Sequence, residues 1–195
     1  AVEWTRTYGE AGHQIFYDIQ PVSDGGYIMC GYSGDNDHDN LDSRDIYIVR
    51  IDGSGDVIWS RTYGAENQQD VSRKILETTD GNFIIAGKNN RLATALLVDQ
   101  HGELIWERNC NRGSFYDVIE IRENDFVFCG YNIDQRSSGY IVNIVDSEIA
   151  WENDFGNNTF TDFSSLYEVE DGIVLCGSRS GDISSEIWLV KTNIN

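Results

Sequence analysis

The sequence predicts an all-β chain, a four-bladed antiparallel β-propeller closed by its N-terminal strand. Three observations lead there. Tryptophan recurs at Trp4, Trp59, Trp106 and Trp151, in steps of 55, 47 and 45 residues. A small residue followed by Gly recurs at Cys30-Gly31, Ala86-Gly87, Cys129-Gly130 and Cys176-Gly177, with Gly steps of 56, 43 and 47. Two marks that keep pace in this way define a repeat, and the period is that of propeller blades or a similar array. Third, the runs Ile46-Tyr-Ile-Val49, Ala95-Leu-Leu-Val98, Tyr140-Ile-Val-Asn143 and Ile187-Trp-Leu-Val190 do not alternate polar with apolar. Such strands are buried on both faces, as in a blade between two neighbours. A β-sandwich is the competing architecture, and the blade-sized period argues against it.

The elements follow in order. The chain opens on Val2-Glu-Trp-Thr-Arg6, which has the character of a fourth strand. The blades then run approximately over 10–59, 60–106, 107–151 and 152–195, the last completed by 1–9. The second is the clearest. After Trp59-Ser-Arg-Thr-Tyr-Gly64 comes a polar stretch and the apolar segment 71–77. Thr79-Asp-Gly-Asn82 follows, with Asp-Gly supplying the positive-φ position of a tight hairpin. Phe83-Ile-Ile-Ala-Gly87 is the next strand, Ala95-Leu-Leu-Val98 the third, and Gln100-His-Gly102 turns into the fourth, ending on Trp106. Ser23-Asp-Gly-Gly26, Asp52-Gly-Ser-Gly55 and Glu170-Asp-Gly172 repeat the turn signals. The chain closes on a third-type strand at 187–191, so the last blade lacks the strand that residues 1–9 offer. Pairing the two removes two exposed sheet edges at once. A slice of a larger seven- or eight-bladed ring is the alternative.

Length and composition set the outer bounds. With 195 residues, five Trp, ten Tyr, eight Phe and one Pro, the chain suits a single ordered β domain. No apolar run approaches the roughly 20 residues of a membrane-spanning helix. The first residue is Ala1, with no Met and no visible signal peptide, as in a processed secreted chain or a trimmed one. The formal net charge of -19 argues against nucleic acid, which needs clustered Lys and Arg to neutralise phosphates. Cations, basic proteins and neutral glycans stay open. Cys30, Cys129 and Cys176 share one repeat position with Ala86, a place for a small buried side chain rather than a disulfide.

Here a resemblance can be stated. Trp59-x-Arg-Thr-Tyr-Gly64 with Thr79-Asp-Gly-Asn-Phe-Ile-Ile-Ala-Gly87 resembles the T-D-G-G-Y-I-x-x-G propeller repeats of secreted bacterial and archaeal proteins. Ile51-Asp-Gly-Ser-Gly-Asp-Val-Ile-Trp59 is similar to the docking turn of quinoprotein-type (PQQ-like) blades. The resemblance implies a fold and carries over no catalytic residue, because these families are functionally mixed. Four blades matches the hemopexin-like ring in size alone.

Two places could carry chemistry. The loop Gly34-Asp-Asn-Asp-His-Asp-Asn-Leu-Asp-Ser-Arg-Asp45 gathers Asp35, Asp37, Asp39 and Asp42, oxygen ligands of the kind Ca²⁺ takes. Its match to an EF-hand loop is partial, since Asn40 stands where the Gly belongs and Ile46 where the bidentate Glu belongs. The plainer reading is a solvated acidic loop. A calcium site predicts a higher melting temperature in millimolar Ca²⁺ than in chelator, worth about 2.7 kcal/mol at a hundredfold excess over Kd. Asp37→Asn with Asp39→Asn should remove the difference, and an unchanged melt in the parent chain returns the loop to solvated surface.

The second place is Phe16-Tyr-Asp-Ile19, which recurs as Phe115-Tyr-Asp-Val118. In a four-bladed ring these blades face each other, so Tyr17, Asp18, Tyr116 and Asp117 form a candidate ligand site at the channel mouth. The plainer reading has each Asp capping an inter-blade turn and each Tyr packing. Asp70 and Asp162 do not extend the set to a ring, because they lie several residues earlier in register. His13, His38 and His101 fall in loops, and no Ser/His/Asp or Cys/His arrangement emerges. The recurring Trp residues serve blade packing, and Trp188 stands outside that position.

The functional expectation is a non-catalytic extracellular binding or assembly module for a protein or glycan, secreted, cell-surface or periplasmic. Alternatives are a structural subunit of an extracellular assembly, which allows a homo-oligomer, and a glycan-active hydrolase or lyase. A quinoprotein relative is the weakest enzyme reading, since the Lys-poor chain offers few cationic cofactor contacts. Enzyme activity stays open, with the balance against it.

Overall fold

The computed structural model describes residues 1–9, 11–34, 44–65, 68–133, 138–156, 160–180 and 184–193. Its strands are β1 (His13–Pro21), β2 (Tyr27–Gly34), β3 (Arg44–Ile51), β4 (Val57–Tyr63), β5 (Val71–Glu77), β6 (Phe83–Asn89), β7 (Leu92–Val98), β8 (Leu104–Arg122), β9 (Asp125–Asn132), β10 (Ser138–Val145), β11 (Glu148–Phe155), β12 (Thr161–Val169), β13 (Gly172–Ser180) and β14 (Ser185–Thr192). All pairings between them are antiparallel. Among the described residues no helix is long and apolar enough to cross a membrane.

The architecture corrects the expected ring. The strands form three separate sheets, in the orders β1-β2-β3-β4, β11-β10-β9-β8-β7-β6-β5 and β12-β13-β14, with no circular closure among them. Two physical reasons account for the difference. Units two and three share one strand: where β4 ends at Tyr63 and β11 at Phe155, the strand through Cys110 continues past Gly113. The 19-residue β8 therefore runs from one unit into the next. Closure by the N-terminus also fails. Residues 1–9 form no strand, and β14 pairs with β13 alone among the described strands. The segment is held instead on the first sheet, where Tyr8 Oη donates to Gly55 O at 2.9 Å.

The units stack in chain order through apolar faces. Ile28, Cys30, Ile46 and Ile48 of the first sheet pack with Ile75, Phe83, Ile85 and Leu96 of the second unit. The two halves of the middle sheet fold over each other around Ile84, Ala95, Phe115, Phe128 and Tyr140. Val127, Cys129 and Ile141 then meet Phe163, Leu166 and Leu175 of the last sheet. This sandwiching explains the unbroken apolar runs. β5 packs on β1, β2 and β3, and β12 on β8, β9 and β10, while among the described residues no comparable packing joins the first sheet to the last.

Each inner strand carries a β-bulge at the same place, between Phe16/Asp18, Ser72/Lys74, Phe115/Asp117 and Phe163/Ser165. The bulge presses backbone onto the paired strand, and the repeated Gly lies beneath it. A Cβ on Gly31, Gly87, Gly130 or Gly177 would collide with the carbonyl oxygen of Ile15, Val71, Ser114 or Asp162. The recurring Gly is thus a place where two backbones approach too closely for any side chain.

The recurring Trp staples one unit to the next. Trp59 Nε1 donates to Gln100 O at 2.8 Å, and Tyr63 Oη donates to Gly102 O at 2.7 Å. Gly102 holds φ 79° directly under the Trp59 ring and the Arg61 stem. Trp4, Arg6 and Tyr8 repeat this arrangement over Gly55, whose φ is 84°. In both turns an Asp oxygen accepts two backbone N–H groups, Asp52 from Ser54 and Asp56, and Asp99 from His101 and Glu103. Those donations, from Asp56 and Glu103 foremost, hold the two carboxyls below the usual carboxylate range.

Candidate functional site

A β-bulge re-aims the extra residue's side chain, and bulges gather beside functional sites. The bulged residues are Tyr17, Arg73, Tyr116 and Ser164. The first three meet. The Arg73 guanidinium carbon lies 4.2 Å from the Tyr17 ring centroid and 5.8 Å from that of Tyr116. Tyr32 adjoins Tyr17 at 6.1 Å between centroids, and Tyr131 adjoins Tyr116 at 5.5 Å. A second guanidinium, that of Arg44, sits 4.5 Å from the Tyr32 centroid. A cation over an aromatic face is held by the ring quadrupole, for roughly 0.5–1 kcal/mol at an exposed site.

The cluster is electrostatically unusual for so acidic a chain. Lys88 Nζ donates to Gln69 Oε1 at 3.1 Å. Burial first, then repulsion from Arg73 and Arg44, holds its ammonium below the ordinary lysine range. Burial, helped by Tyr131, pushes the Tyr116 phenol up to about 12, so it stays a hydrogen-bond donor at neutral pH. Arg73 Nε is buried and has no hydrogen-bond partner among the described residues. On Tyr116 opens a cleft of about 240 Å³, lined also by Tyr131, Phe160, Asp162 and Ser178 among others. Phe160 is exposed there. Ser178 donates through both N and Oγ to Asp162 Oδ1, each at 3.0 Å, leaving the other carboxylate oxygen for a ligand hydroxyl.

The four residues proposed from sequence divide into two pairs. Tyr17 and Tyr116 share the Arg73 guanidinium. Asp18 and Asp117 belong to the joints between units. Asp18 Oδ2 accepts from Ile75 N at 3.1 Å and pairs with Lys74 Nζ at 3.4 Å. Asp117 Oδ2 accepts from Leu166 N at 3.0 Å and Ser165 Oγ at 2.7 Å, while its Oδ1 accepts from Val118 N at 3.0 Å. Asp70 is buried elsewhere, accepting from Asn90 N at 2.6 Å and Ala65 N at 3.1 Å, and burial raises its carboxyl above the usual range.

Arg73, Arg44, Tyr32 and Tyr131 were not singled out from sequence. A signal for Arg73 exists: Tyr17, Arg73 and Tyr116 each lie fourteen residues before Gly31, Gly87 and Gly130. The acidic set Asp35, Asp37, Asp39 and Asp42 lies outside the described residues. Among those described, no group of three or more His, Cys, Asp or Glu side chains is arranged to hold a metal ion. All four cysteines are free. Compared with known proteins, the chain matches no family model and no curated protein.

Proposed function

We propose that the protein is a non-catalytic extracellular binding module whose ligand is a saccharide bearing a carboxylate. The observation that carries this reading is Arg73, a guanidinium between the Tyr17 and Tyr116 rings with its Nε unpartnered. Planar guanidinium groups match carboxylates in geometry as well as charge. The Tyr116, Tyr131 and Phe160 rings of the cleft supply the apolar platform on which a sugar ring stacks. Asp162 and Ser178 supply hydroxyl contacts. With a net charge of -19 over the chain, anion binding is favoured only where cations gather, as at Arg73 and Arg44. The repeat resemblance is what supports an extracellular setting.

Isothermal titration with a uronic-acid oligosaccharide and its neutral counterpart tests the reading. The acidic ligand should bind more tightly, and Arg73→Gln should weaken it at least tenfold while leaving the melting temperature nearly unchanged. Equal affinity for both ligands, or an Arg73→Gln chain that binds as the parent does, overturns it. New reducing ends or unsaturated products in the same mixtures would replace it with a glycan-active hydrolase or lyase.

A further inference from the structure

The cluster around Arg73 has a second half, on the side away from the cleft. Tyr17 and Tyr116 lie fourteen residues before Gly31 and Gly130, and Tyr32 and Tyr131 one residue after them. The first and third units thus carry the same tyrosine pair, with ring centroids 6.1 Å apart in one and 5.5 Å in the other. In the second unit the same two positions are Arg73 and Lys88. The middle unit offers cations where its neighbours offer rings.

Followed through space, these groups repeat. The Arg44 guanidinium lies 4.5 Å from the Tyr32 centroid, Tyr32 adjoins Tyr17, and Tyr17 lies 4.2 Å from the Arg73 guanidinium. From Arg73 the order starts again, with Tyr116 at 5.8 Å and Tyr131 beyond it. Cation, tyrosine, tyrosine is written twice. In the first half Tyr32 is buried and Tyr17 is 43% exposed, so Tyr17 presents the open ring and Tyr32 backs it.

Arg44 is fixed through its backbone. Its N donates to Gln68 O at 3.2 Å, and its O accepts from Asp70 N at 2.7 Å, which ties β3 to the entry of the second unit. Between those two residues, Gln69 accepts from the Lys88 ammonium at 3.1 Å. Arg44, Arg73 and Lys88 therefore share one neighbourhood, and both guanidiniums act on that ammonium. The Asp70 carboxylate near Lys88 is already engaged by Asn90 N and Ala65 N. With 33 acidic and 14 basic side chains in the chain, three cations drawn to one place repel one another, and a bound anion relieves that repulsion.

We propose that Arg44 and Tyr17 form a second acidic-sugar subsite, so that the ligand is a run of linked uronic acids laid from Arg73 to Arg44. This rests on the saccharide reading above and deepens it. Each guanidinium takes one carboxylate, and a sugar ring lies against the Tyr17 ring between them. Linkage makes the second contact intramolecular, so affinity climbs once the ligand is long enough to reach Arg44.

Isothermal titration of the full chain with uronic-acid oligosaccharides of one to four residues tests this. Affinity should rise at least tenfold at the length that first spans both guanidiniums. Arg44→Gln should cancel that rise, whereas Arg73→Gln should weaken every length. The parent chain with a partly methyl-esterified ligand, carrying one free acid, needs no variant to fold and should bind it as it binds the single sugar. Affinity that is flat with length, or a rise that survives Arg44→Gln or esterification, overturns the second subsite. Arg73-dependent binding of one acid would still leave the saccharide reading in place. If no length binds in a way that depends on Arg73, both fall.

Discussion

Gly130→Ala is expected to destabilise the chain by about 3 kcal/mol or more, at the upper end of what overpacking costs. Gly130 lies on β9 opposite Phe115, at the bulge of β8. Its added methyl would collide with Ser114 O and lie 2.9 Å from Phe115 Cα. Both are backbone atoms, so no rotamer change can relieve the contact. The neighbouring Phe115 is fully buried and stacks on Tyr140 with centroids 5.9 Å apart, so any shift propagates into the core of the middle sheet. Gly53→Ala is the control, because a Cβ there meets nothing within 4 Å. It should change stability by less than about 0.5 kcal/mol. Urea denaturation of the three chains checks both, and equal midpoints for Gly130→Ala and the parent would show that the bulge can yield.

Asp117→Ala is expected to cost about 2–5 kcal/mol, the sum of leaving the Val118 and Leu166 N–H groups without an acceptor. Both residues are buried, so neither amide readily finds a water in its place. The carboxylate joins β8 to β12 across the interface between the middle and last sheets, so its loss should also loosen that interface. Asp18→Ala makes the instructive comparison. Asp18 also binds across units, to Ile75 N, but its other partners are Gln20 and the half-buried Lys74, and the loss should be smaller. Thermal melts that rank the two variants in the reverse order would contradict this account.

Much of the local design was legible in the sequence, and the reasons are physical. Trp59 and Gly87 recur because each answers a constraint met once per unit, a ring stapled to the next turn and a backbone pressed by a bulge. The apolar run at 95–98 was legible because burial on both faces leaves no room for alternation. The closed ring was not, because closure depends on how far successive sheets rotate, which no single residue encodes. The fusion at β8 turned on the strand through Cys110 continuing past Gly113. In the candidate site, Tyr17 and Tyr116 stood out because Tyr-Asp is written twice. Arg73 did not, because its neighbours are Ser72 and Lys74, and its likeness to the tyrosines is one of position alone.

The unbroken β8 has a consequence for how the molecule opens. Where units meet through a loop, one can detach while the other keeps its hydrogen bonds. At β8 the ladder continues through the joint, with Leu92–Arg112 pairing on one side and Gly113–Asn132 on the other. The two central units therefore share one cooperative fate. Among the described residues, the first and last sheets share no continuous ladder with that body. Stability in such a linear array is a sum over neighbours. Local unfolding of the first or last sheet should stop at the body that β8 holds together, leaving a protected seven-stranded middle as the last part to exchange its amides.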